Sequence, residues 1–224
     1  MDQPEHIRGF ALLEEALTVL FCLVDDVYQN VNPNGWRYES LKKLSDSEVI
    51  TLALFQQLRG TESQRSFLRD TARFFPHLFP GVVGLAPSSF HRRIRRLRHF
   101  LEPLRRALLP ELVGGDPETL IVDSTLLPVL HPRQVRQSAG LYGVAWVRWG
   151  SFCIYGVKLH LLCATNRVPI SYELTPANVA EVGLTAELLA EANLGGDLAR
   201  RVFGDLAYRS ESLEDFLAEV GYCW

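Results

Sequence analysis

The stretch "TLIVDSTLLPV" (residues 119–129) decides how the second half of this chain folds. Leu120, Ile121 and Val122 are β-forming apolar residues, and they predict a short buried strand. Asp123 follows where the apolar run would continue. An unpaired charge at the end of a core strand is costly unless something binds it. Two explanations remain open: Asp123 caps a turn, or it belongs to a binding site.

Composition sets the class of protein. The chain has 224 residues, of which 47% are hydrophobic and 22% charged, and this balance predicts a globular protein of one large or two small domains. The formal net charge is −3. Any nucleic-acid-binding surface must therefore be a local concentration of positive charge.

Neither a membrane anchor nor a disulfide framework is expected. The N-terminal "MDQPEHIRGF" lacks the apolar core of a signal peptide, and "ALTVLFCLV" is far shorter than the roughly 20 residues of a membrane span. The four cysteines form no C-x-x-C pair. We therefore expect a cytoplasmic protein in a reducing compartment.

Residues 1–112 are predicted to form a helical region. One amphipathic helix is expected over residues 10–30, and Ser45-x-x-Glu48 is a capping box ahead of a second. Thr61-x-x-Gln64 predicts the start of a third helix. Ser88 or Ser89 is expected to cap a fourth, "FHRRIRRLRHFLEPLRRALL" (residues 90–109), which Pro103 should end or kink.

This fourth helix is the candidate DNA-binding element. Its apolar residues recur at spacings of three and four and form one stripe: Ile94, Leu97, Leu101, Leu104 and Leu108. Five arginines occupy its other faces: Arg92, Arg93, Arg95, Arg96 and Arg98. Such a helix fits a DNA groove or tracks phosphates. The alternatives are a solvated charged face, or pairing of these arginines with acidic residues elsewhere in the chain.

The pattern changes after the linker "VGGDPE" (residues 113–118). Strands are predicted over residues 119–125, 151–165, 168–175 and 200–205, with the second and third paired. Helices are predicted over residues 183–193 and 210–221, the second with Ser210 as its candidate cap. The final "YCW" is typical of the start of a further strand. Strands followed by alternating helix and strand predict an α/β region over residues 119–224.

Asp205 in "RVFGDLAYRS" has the same setting as Asp123, after an apolar strand. Two carboxylates brought together at one sheet edge would repel unless a cation lay between them. Mg²⁺ suits such a site. Lys158 and His160 alternate along one strand and are predicted to lie on its open face, where they suit phosphate contacts. Arg133 and Arg136 lie in a polar loop and are further candidates for DNA contact.

Several blocks resemble the DDE-type transposases of bacterial insertion sequences. In the second half these are "LIVDST", "YGVKLHLLCATNRVPISYELTPANV" and "VFGDLAYRS"; in the first half they are "LSDSEVITLALFQQL", "LFP" and "SSFHRRIRRLR". The resemblance implies an RNase-H-like mixed sheet with flanking helices. It also implies metal-dependent cutting and joining of DNA at element ends, with Asp123 and Asp205 as catalytic and metal-binding acids and Mg²⁺ or Mn²⁺ as cofactor.

The same resemblance carries expectations about partners and about completeness. Double-stranded DNA, homo-oligomerisation and association with the bacterial nucleoid are expected. The family's third acid, a Glu on a helix well downstream of the second Asp, has no counterpart, so we expect a C-terminally incomplete domain that is inactive alone. Where the family often has His-Asp, this chain has Ala180 and Glu181. Two alternatives are a non-catalytic DNA-binding remnant of a transposase and an unrelated RNase-H-like nuclease.

Overall fold

The computed structural model describes residues 5–32, 42–135, 141–194, 200–208, 210–219 and 221–224. The chain divides into two compact units, Met1–Leu108 and Leu109–Trp224. None of the described helices is long and apolar enough to cross a bilayer. Pro33 and Gly35 predict a loop over residues 30–37, of which residues 33–37 lie outside the described residues, as does the candidate Arg136.

The first unit is helical, as predicted. Its helices are α1 (Glu5–Val31), α2 (Asp46–Leu58), α3 (Gln64–Phe74), α4 (Pro87–Leu97) and α5 (Leu101–Val113), the last of which crosses into the second unit. The capping box before α2 is confirmed: the Ser45 hydroxyl accepts from the Glu48 amide, and the Glu48 carboxylate accepts from the Ser45 amide. Phe90, which is fully buried, lies in the hydrophobic core of this unit.

Two of the predicted helix starts are wrong by one to three residues. Helix α3 is capped by Ser63, whose hydroxyl accepts from the Ser66 amide, and not by Thr61. Helix α4 begins at Pro87, with Ala86 before it, and not after Ser88 or Ser89. Proline is favoured at the first helical position because its missing N–H has no partner there in any case.

The predicted single helix over residues 90–109 is broken. Helix α4 ends at Leu97, a single 3-10 turn spans Arg98–Phe100, and α5 then begins at Leu101. Pro103 explains the break, because its ring would clash with the carbonyl of His99 in a continuous helix. In the first turn of α5 the same proline is tolerated.

The second unit is built on a six-stranded mixed sheet. Its strands are β1 (Thr119–Leu130), β2 (Ala145–Trp149), β3 (Phe152–Ala164), β4 (Pro169–Pro176), β5 (Arg200–Phe203) and β6 (Tyr222–Cys223). Its further helices are α6 (Pro132–Val135), α7 (Leu184–Ala192) and α8 (Glu211–Glu219). Ser210 caps α8, as predicted, by accepting from the Leu213 amide.

The pairing of the strands identifies the fold class of the sheet. Strand β3 pairs antiparallel with β1, β2 and β4, while β5 pairs parallel with β1 and β6 pairs parallel with β5. The order is β2-β3-β1-β5-β6, with β4 also on β3. An antiparallel meander that continues as parallel strands on the far side of β1 is the RNase-H-like arrangement, so the expected fold class is confirmed.

The sheet departs from the prediction at two strands. Strand β1 continues through Asp123 to Leu130, so Asp123 lies within a strand and not at its end. The continuation is held by pairing with β3, in which Leu126 opposes Lys158. Strand β2 was missed, and it is hydrogen-bonded to the first half of β3, where Trp146 opposes Tyr155.

One face of the sheet is covered and the other is open. Leu120, Val122, Leu162 and Val202 are at most 1% exposed and pack in a core that includes residues of α7 and α8. Since side chains alternate along a strand, the neighbouring residues of β1, β3 and β5 point to the opposite face. On that face Ile121 is 42% exposed. The candidate acids lie on this open face.

Candidate functional site

Asp123 is an exposed residue in the middle of β1, opposite Leu161 of β3. Its neighbours Val122 and Ser124 point to the covered face, so the pleat of the strand turns the carboxylate towards the open one. One carboxylate oxygen, Oδ1, accepts a hydrogen bond from the Ser124 amide at 2.7 Å. Asp123 forms no ion pair with any described residue. Its charge is thus available to a ligand.

Asp205 is an exposed residue two positions beyond the end of β5. Its Oδ1 accepts from the Ala207 amide at 2.9 Å, and its carbonyl accepts from the Tyr208 amide. The carboxylate therefore starts the 3-10 turn Leu206–Tyr208, which is the turn-forming role that the sequence left open. Asp205 too has no ion pair within the described part of the chain.

The register of the parallel strands leads towards these two acids. Thr119 opposes Arg201 and Ile121 opposes Phe203, where the pairing ends. Asp123 and Asp205 each lie two residues beyond this last pair, and both carboxylates act on the pKa of Tyr208, so both lie near its hydroxyl.

Gly204 permits this close approach. A Cβ atom added to it would come within 2.6 Å of the Val122 side chain and within 2.9 Å of Trp224. A larger residue here would clash with the buried side chain of Val122 unless that side chain or the backbone moved. The glycine in "VFGD" therefore lets the chain pass close to β1 immediately before Asp205.

Tyr208 lies close to both acids. Burial and, to a smaller extent, the negative charges of Glu181, Asp123 and Asp205 together raise the pKa of its hydroxyl to about 12, against a hydrogen bond with Ser124 that lowers it. The tyrosine is 1% exposed. It therefore stays neutral at physiological pH and serves as a hydrogen-bonding group beneath the two carboxylates.

The prediction that Lys158 and His160 lie on the open face is wrong. Lys158 is 8% exposed and His160 is fully buried, whereas Val157, Leu159 and Leu161 are partly exposed. The face is inverted because polar groups on other elements satisfy these two side chains in the interior. A hydrophobic pattern alone does not contain that information.

His160 is held by two hydroxyl groups. Its Nδ1 lies 3.1 Å from the Tyr208 hydroxyl and its Nε2 lies 2.9 Å from the Thr175 hydroxyl. Burial lowers the pKa of the imidazole, and the nearby Lys158 charge lowers it further, against the attraction of Glu181. The ring is therefore neutral, and it fixes Tyr208 against the sheet.

Lys158 is held by an ion pair and a backbone carbonyl. Its Nζ lies 2.6 Å from the Glu181 carboxylate and donates to the Val179 carbonyl at 2.9 Å. Burial alone would raise the pKa of Glu181, but the hydrogen bond from Lys158 keeps it below its ordinary value. Both groups are charged at neutral pH, and the pair ties the segment after β4 to β3.

A shallow cavity of about 240 Å³ opens beside Asp123 on the open face. Its walls include Ile121, Leu161, Cys163 and the exposed Arg167. Burial raises the pKa of the Cys163 thiol, and the charge of Asp123 raises it further, so this thiol is protonated. Arg167 places a positive charge near the acids and has no ion-pair partner among the described residues.

The donor set of this site fits a hard divalent cation. Asp123 and Asp205 offer carboxylate oxygens, exposed and without cationic partners, and such oxygens are the ligands that Mg²⁺ and Mn²⁺ prefer. The described residues contain no group of three or more His, Cys, Asp or Glu that could hold a metal ion. The site therefore consists of two carboxylates.

The arginines of α4 and of the turn after it are of two kinds: one is bound to other parts of the chain, and the others have no ion-pair partner among the described residues. Arg93 donates to the Leu44 carbonyl at 2.7 Å and to the Asp46 carboxylate at 2.5 Å. Pairing with an acid elsewhere in the chain, an alternative that the sequence left open, thus holds for this arginine. Arg92, Arg95, Arg96 and Arg98 are exposed and form no ion pair with a described residue.

The remaining candidate arginine in the second unit is Arg133. It is exposed within the short helix α6, and its amide donates to the His131 ring. The segment around it is thus one helical turn and not an irregular loop as far as it is described.

Sequence reasoning did not assign functions to Ser124, Thr175, Tyr208 and Gly204. Tyr208 follows Asp205 by three residues, and Ser124 adjoins Asp123, so proximity in sequence to the two acids was the available indication. Thr175 had none, because it comes to His160 through the pairing of β3 with β4.

Comparison with known families gives one finding. Residues 114–224 match the family model described as the transposase DDE domain. A search of curated proteins gives no match to the chain. The matched region contains both acids, the whole sheet, and the His160–Tyr208 contact.

Proposed function

We propose that the acids of this chain serve the cutting and rejoining of phosphodiester bonds at the ends of an insertion sequence, with low activity in this chain because the described residues supply two acids and not three. The match of residues 114–224 to the transposase DDE domain identifies this region as a DDE-type transposase domain and supports a function in DNA transposition. The observation that carries this proposal is that Asp123 and Asp205 each lie two residues beyond the last pair of the parallel strands β1 and β5 and both act on the pKa of Tyr208. Two unpaired carboxylates at one point of a surface favour a bound cation.

A divalent metal ion, Mg²⁺ or Mn²⁺, is the cofactor that these residues would hold. When bound, it would stabilise the negative charge that develops on a phosphodiester during displacement. Asp123 and Asp205 supply its oxygen ligands and fix its position on the sheet. Tyr208 and His160 support that position from the covered face, and Arg167 offers a cation to the substrate phosphate.

Double-stranded DNA is the proposed substrate and partner. Four exposed arginines, three in α4 and Arg98 in the turn after it, give the first unit a local positive field that the net charge of the chain conceals. We propose that this unit binds the element end while the second unit carries out the chemistry. A homo-oligomer fits a reaction that pairs two element ends, and a cytoplasmic, nucleoid-associated location fits a DNA substrate.

A cleavage assay tests the proposal. The full chain is incubated with Mg²⁺ or Mn²⁺ and a duplex that carries the DNA flanking its coding sequence. Asp123→Asn and Asp205→Asn should retain DNA binding and lose strand cutting. Asp215→Asn is the matched control, because Asp215 is an exposed carboxylate of α8. Equal cutting by all four proteins would refute the catalytic assignment.

Metal binding gives an independent readout. Isothermal titration with Mn²⁺ should detect binding to the wild-type chain and to Asp215→Asn, and much weaker binding to either active-site variant. Because the described site has two carboxylates and no third, we expect weak binding even for the wild type. Unaltered Mn²⁺ binding after loss of both Asp123 and Asp205 would place the metal elsewhere.

The second candidate function is a non-catalytic DNA-binding remnant of a transposase. The observation in its favour is that no third acid lies with Asp123 and Asp205 among the described residues. A remnant binds the flanking duplex and neither cuts it nor joins it, with either metal. Cutting without strand joining would instead favour an RNase-H-like nuclease.

A further inference from the structure

The first unit contains a basic cavity whose walls come from α4 and from the segment that leads into α2. It has a volume of about 690 Å³, and its polar lining residues are Lys42, Asp46, Ser89, Arg92, Arg93, Arg96 and His99. Asp46 is the one carboxylate among these residues, and four basic side chains accompany it. The cavity therefore carries net positive charge.

Asp46 fixes part of this charge in place. It is 4% exposed; its Oδ1 accepts from Arg93, and its Oδ2 accepts from Lys42 at 2.7 Å and from the Tyr28 hydroxyl at 3.0 Å. Burial would raise the pKa of this carboxyl, but its hydrogen bonds from Lys42, Arg93 and Tyr28 hold it below its ordinary value. The floor of the cavity is thus a rigid, satisfied ion cluster.

Arg92 and Arg96 form the free wall. They are one helical turn apart on α4, both exposed, and neither pairs with an acid in the described part of the chain. Like charges at this spacing destabilise a helix, because their side chains are neighbours. An anion between them would relieve this repulsion.

We propose that this cavity binds a backbone phosphate of double-stranded DNA, with Arg92 and Arg96 as its direct contacts. The inference rests on the proposed function and deepens it: the cavity would position α4 on the duplex without selecting a base sequence. Arg93 and Lys42 would orient the wall and would not themselves be free to read bases.

The salt dependence of DNA binding tests the site. Fluorescence anisotropy gives the Kd of the full chain for a labelled duplex of flanking DNA and for a scrambled duplex. The KCl concentration is varied between about 50 and 200 mM, because phosphate contacts make the Kd depend steeply on salt over this range. Arg92→Ala/Arg96→Ala should reduce the slope of log Kd against log salt by about 1.8 on both duplexes, 0.9 for each lost contact.

A matched pair of arginines supplies the control. Arg95→Ala/Arg98→Ala removes the same charge from α4 and the turn after it but no residue of this cavity, and it should change the slope by less than half as much. Equal losses for the two pairs would mean that only the general field of α4 matters, and would overturn the cavity proposal while leaving DNA binding intact. Absence of DNA binding by the wild type would refute the proposed function itself.

Conservative variants separate phosphate contact from base recognition. Arg92→Lys/Arg96→Lys should keep the slope within about 0.5 of the wild type, because lysine retains the charge for a phosphate. A large loss confined to the flanking duplex would indicate bidentate base contacts and would overturn the proposal. So would tighter binding to RNA of the same length, or binding of inorganic phosphate that is as tight as that of DNA.

Discussion

The two units stabilise buried polar groups in opposite ways. In the first, Asp46 is buried as a charged carboxylate among Arg93, Lys42 and Tyr28. In the second, His160 is fully buried as a neutral ring between two hydroxyl groups, those of Tyr208 and Thr175. One cluster depends on charge compensation and the other on hydrogen-bond geometry.

The difference follows from what each cluster must present. The first lies at a surface proposed to meet an anion, where fixed positive charge is useful. The second holds Tyr208, which lies near Asp123 and Asp205, and a neutral ring there adds no positive charge that would compete with a metal ion. A neutral network supports these acids without neutralising them. The following four predictions test this contrast, from the largest effect to the smallest.

Asp46→Asn should destabilise the first unit by about 3 kcal/mol, because it leaves Arg93 and Lys42 without their compensating charge. Hydrogen exchange of the α2 amides in the full chain measures this loss, and the β3 amides should be unaffected. Asp70→Asn is the control: its ion pair with Arg69 is exposed and contributes less than about 1 kcal/mol. Similar protection in the two variants would show that the buried cluster is not needed for stability.

His160→Phe should destabilise the second unit by about 2 kcal/mol, because the buried hydroxyls of Tyr208 and Thr175 lose their hydrogen bonds to the imidazole ring. Exchange of the β3 amides reports the loss. Tyr208→Phe removes a single hydroxyl and should cost about 1 kcal/mol. If His160→Phe were as stable as the wild type, the hydrogen bonds of His160 with Tyr208 and Thr175 would not contribute to the stability of the second unit.

Acidification should affect the second unit first. Burial lowers the pKa of His160 below its ordinary 6.5, so the unfolded chain binds a proton at this residue that the folded chain does not. Stability should therefore fall as pH decreases below 6.5, by up to about 1.4 kcal/mol per pH unit, until the folded pKa is reached. The stabilisation by Asp46 depends on pH in a more acidic range. Its contribution to the free energy of unfolding is complete above pH 3.8 and is lost only as the pH falls through its lower folded pKa.

Hydrogen exchange at pH 7.0 and 5.5 (roughly the range over which an unfolded histidine takes up a proton) distinguishes these cases. The β3 amides should lose protection beyond the intrinsic pH effect, and the α2 amides should not. The His160→Phe variant should lose this dependence. Equal changes in both units, or a dependence that survives in the variant, would contradict the assignment to His160.

Glu102→Gln should have the smallest effect. Hydrogen bonds from Arg105, and then from Arg106, lower the pKa of Glu102 to about 2. Solvent screens these partly exposed pairs, so the loss should be below about 1 kcal/mol and smaller still in high salt. Thermal unfolding at two salt concentrations checks it. A loss as large as that of Asp46→Asn would remove the distinction between buried and exposed charge.

Local sequence patterns predicted helices and strands well where interactions between residues close in sequence determine them. The Ser45–Glu48 capping box, the Ser210 cap and the pairing of β3 with β4 follow from short-range hydrogen bonds and from alternation. Pro103 correctly indicated a break in the basic helix. The two acids were identified because each follows an apolar β-forming run.

Tertiary structure alone decided which faces these elements present and which residues meet. The sequence could not show that Lys158 and His160 point inward, since their partners Glu181, Thr175 and Tyr208 are distant in the chain. Nor could it show that Arg93 is committed to Asp46 while Arg92 is free. Alternation of side chains shows that a strand has two faces but does not show which face is buried. Long-range partners decide that. For the same physical reason the register of β1 and β5, which determines how the ends of these strands lie beside each other, could not be predicted from the local sequence around either acid.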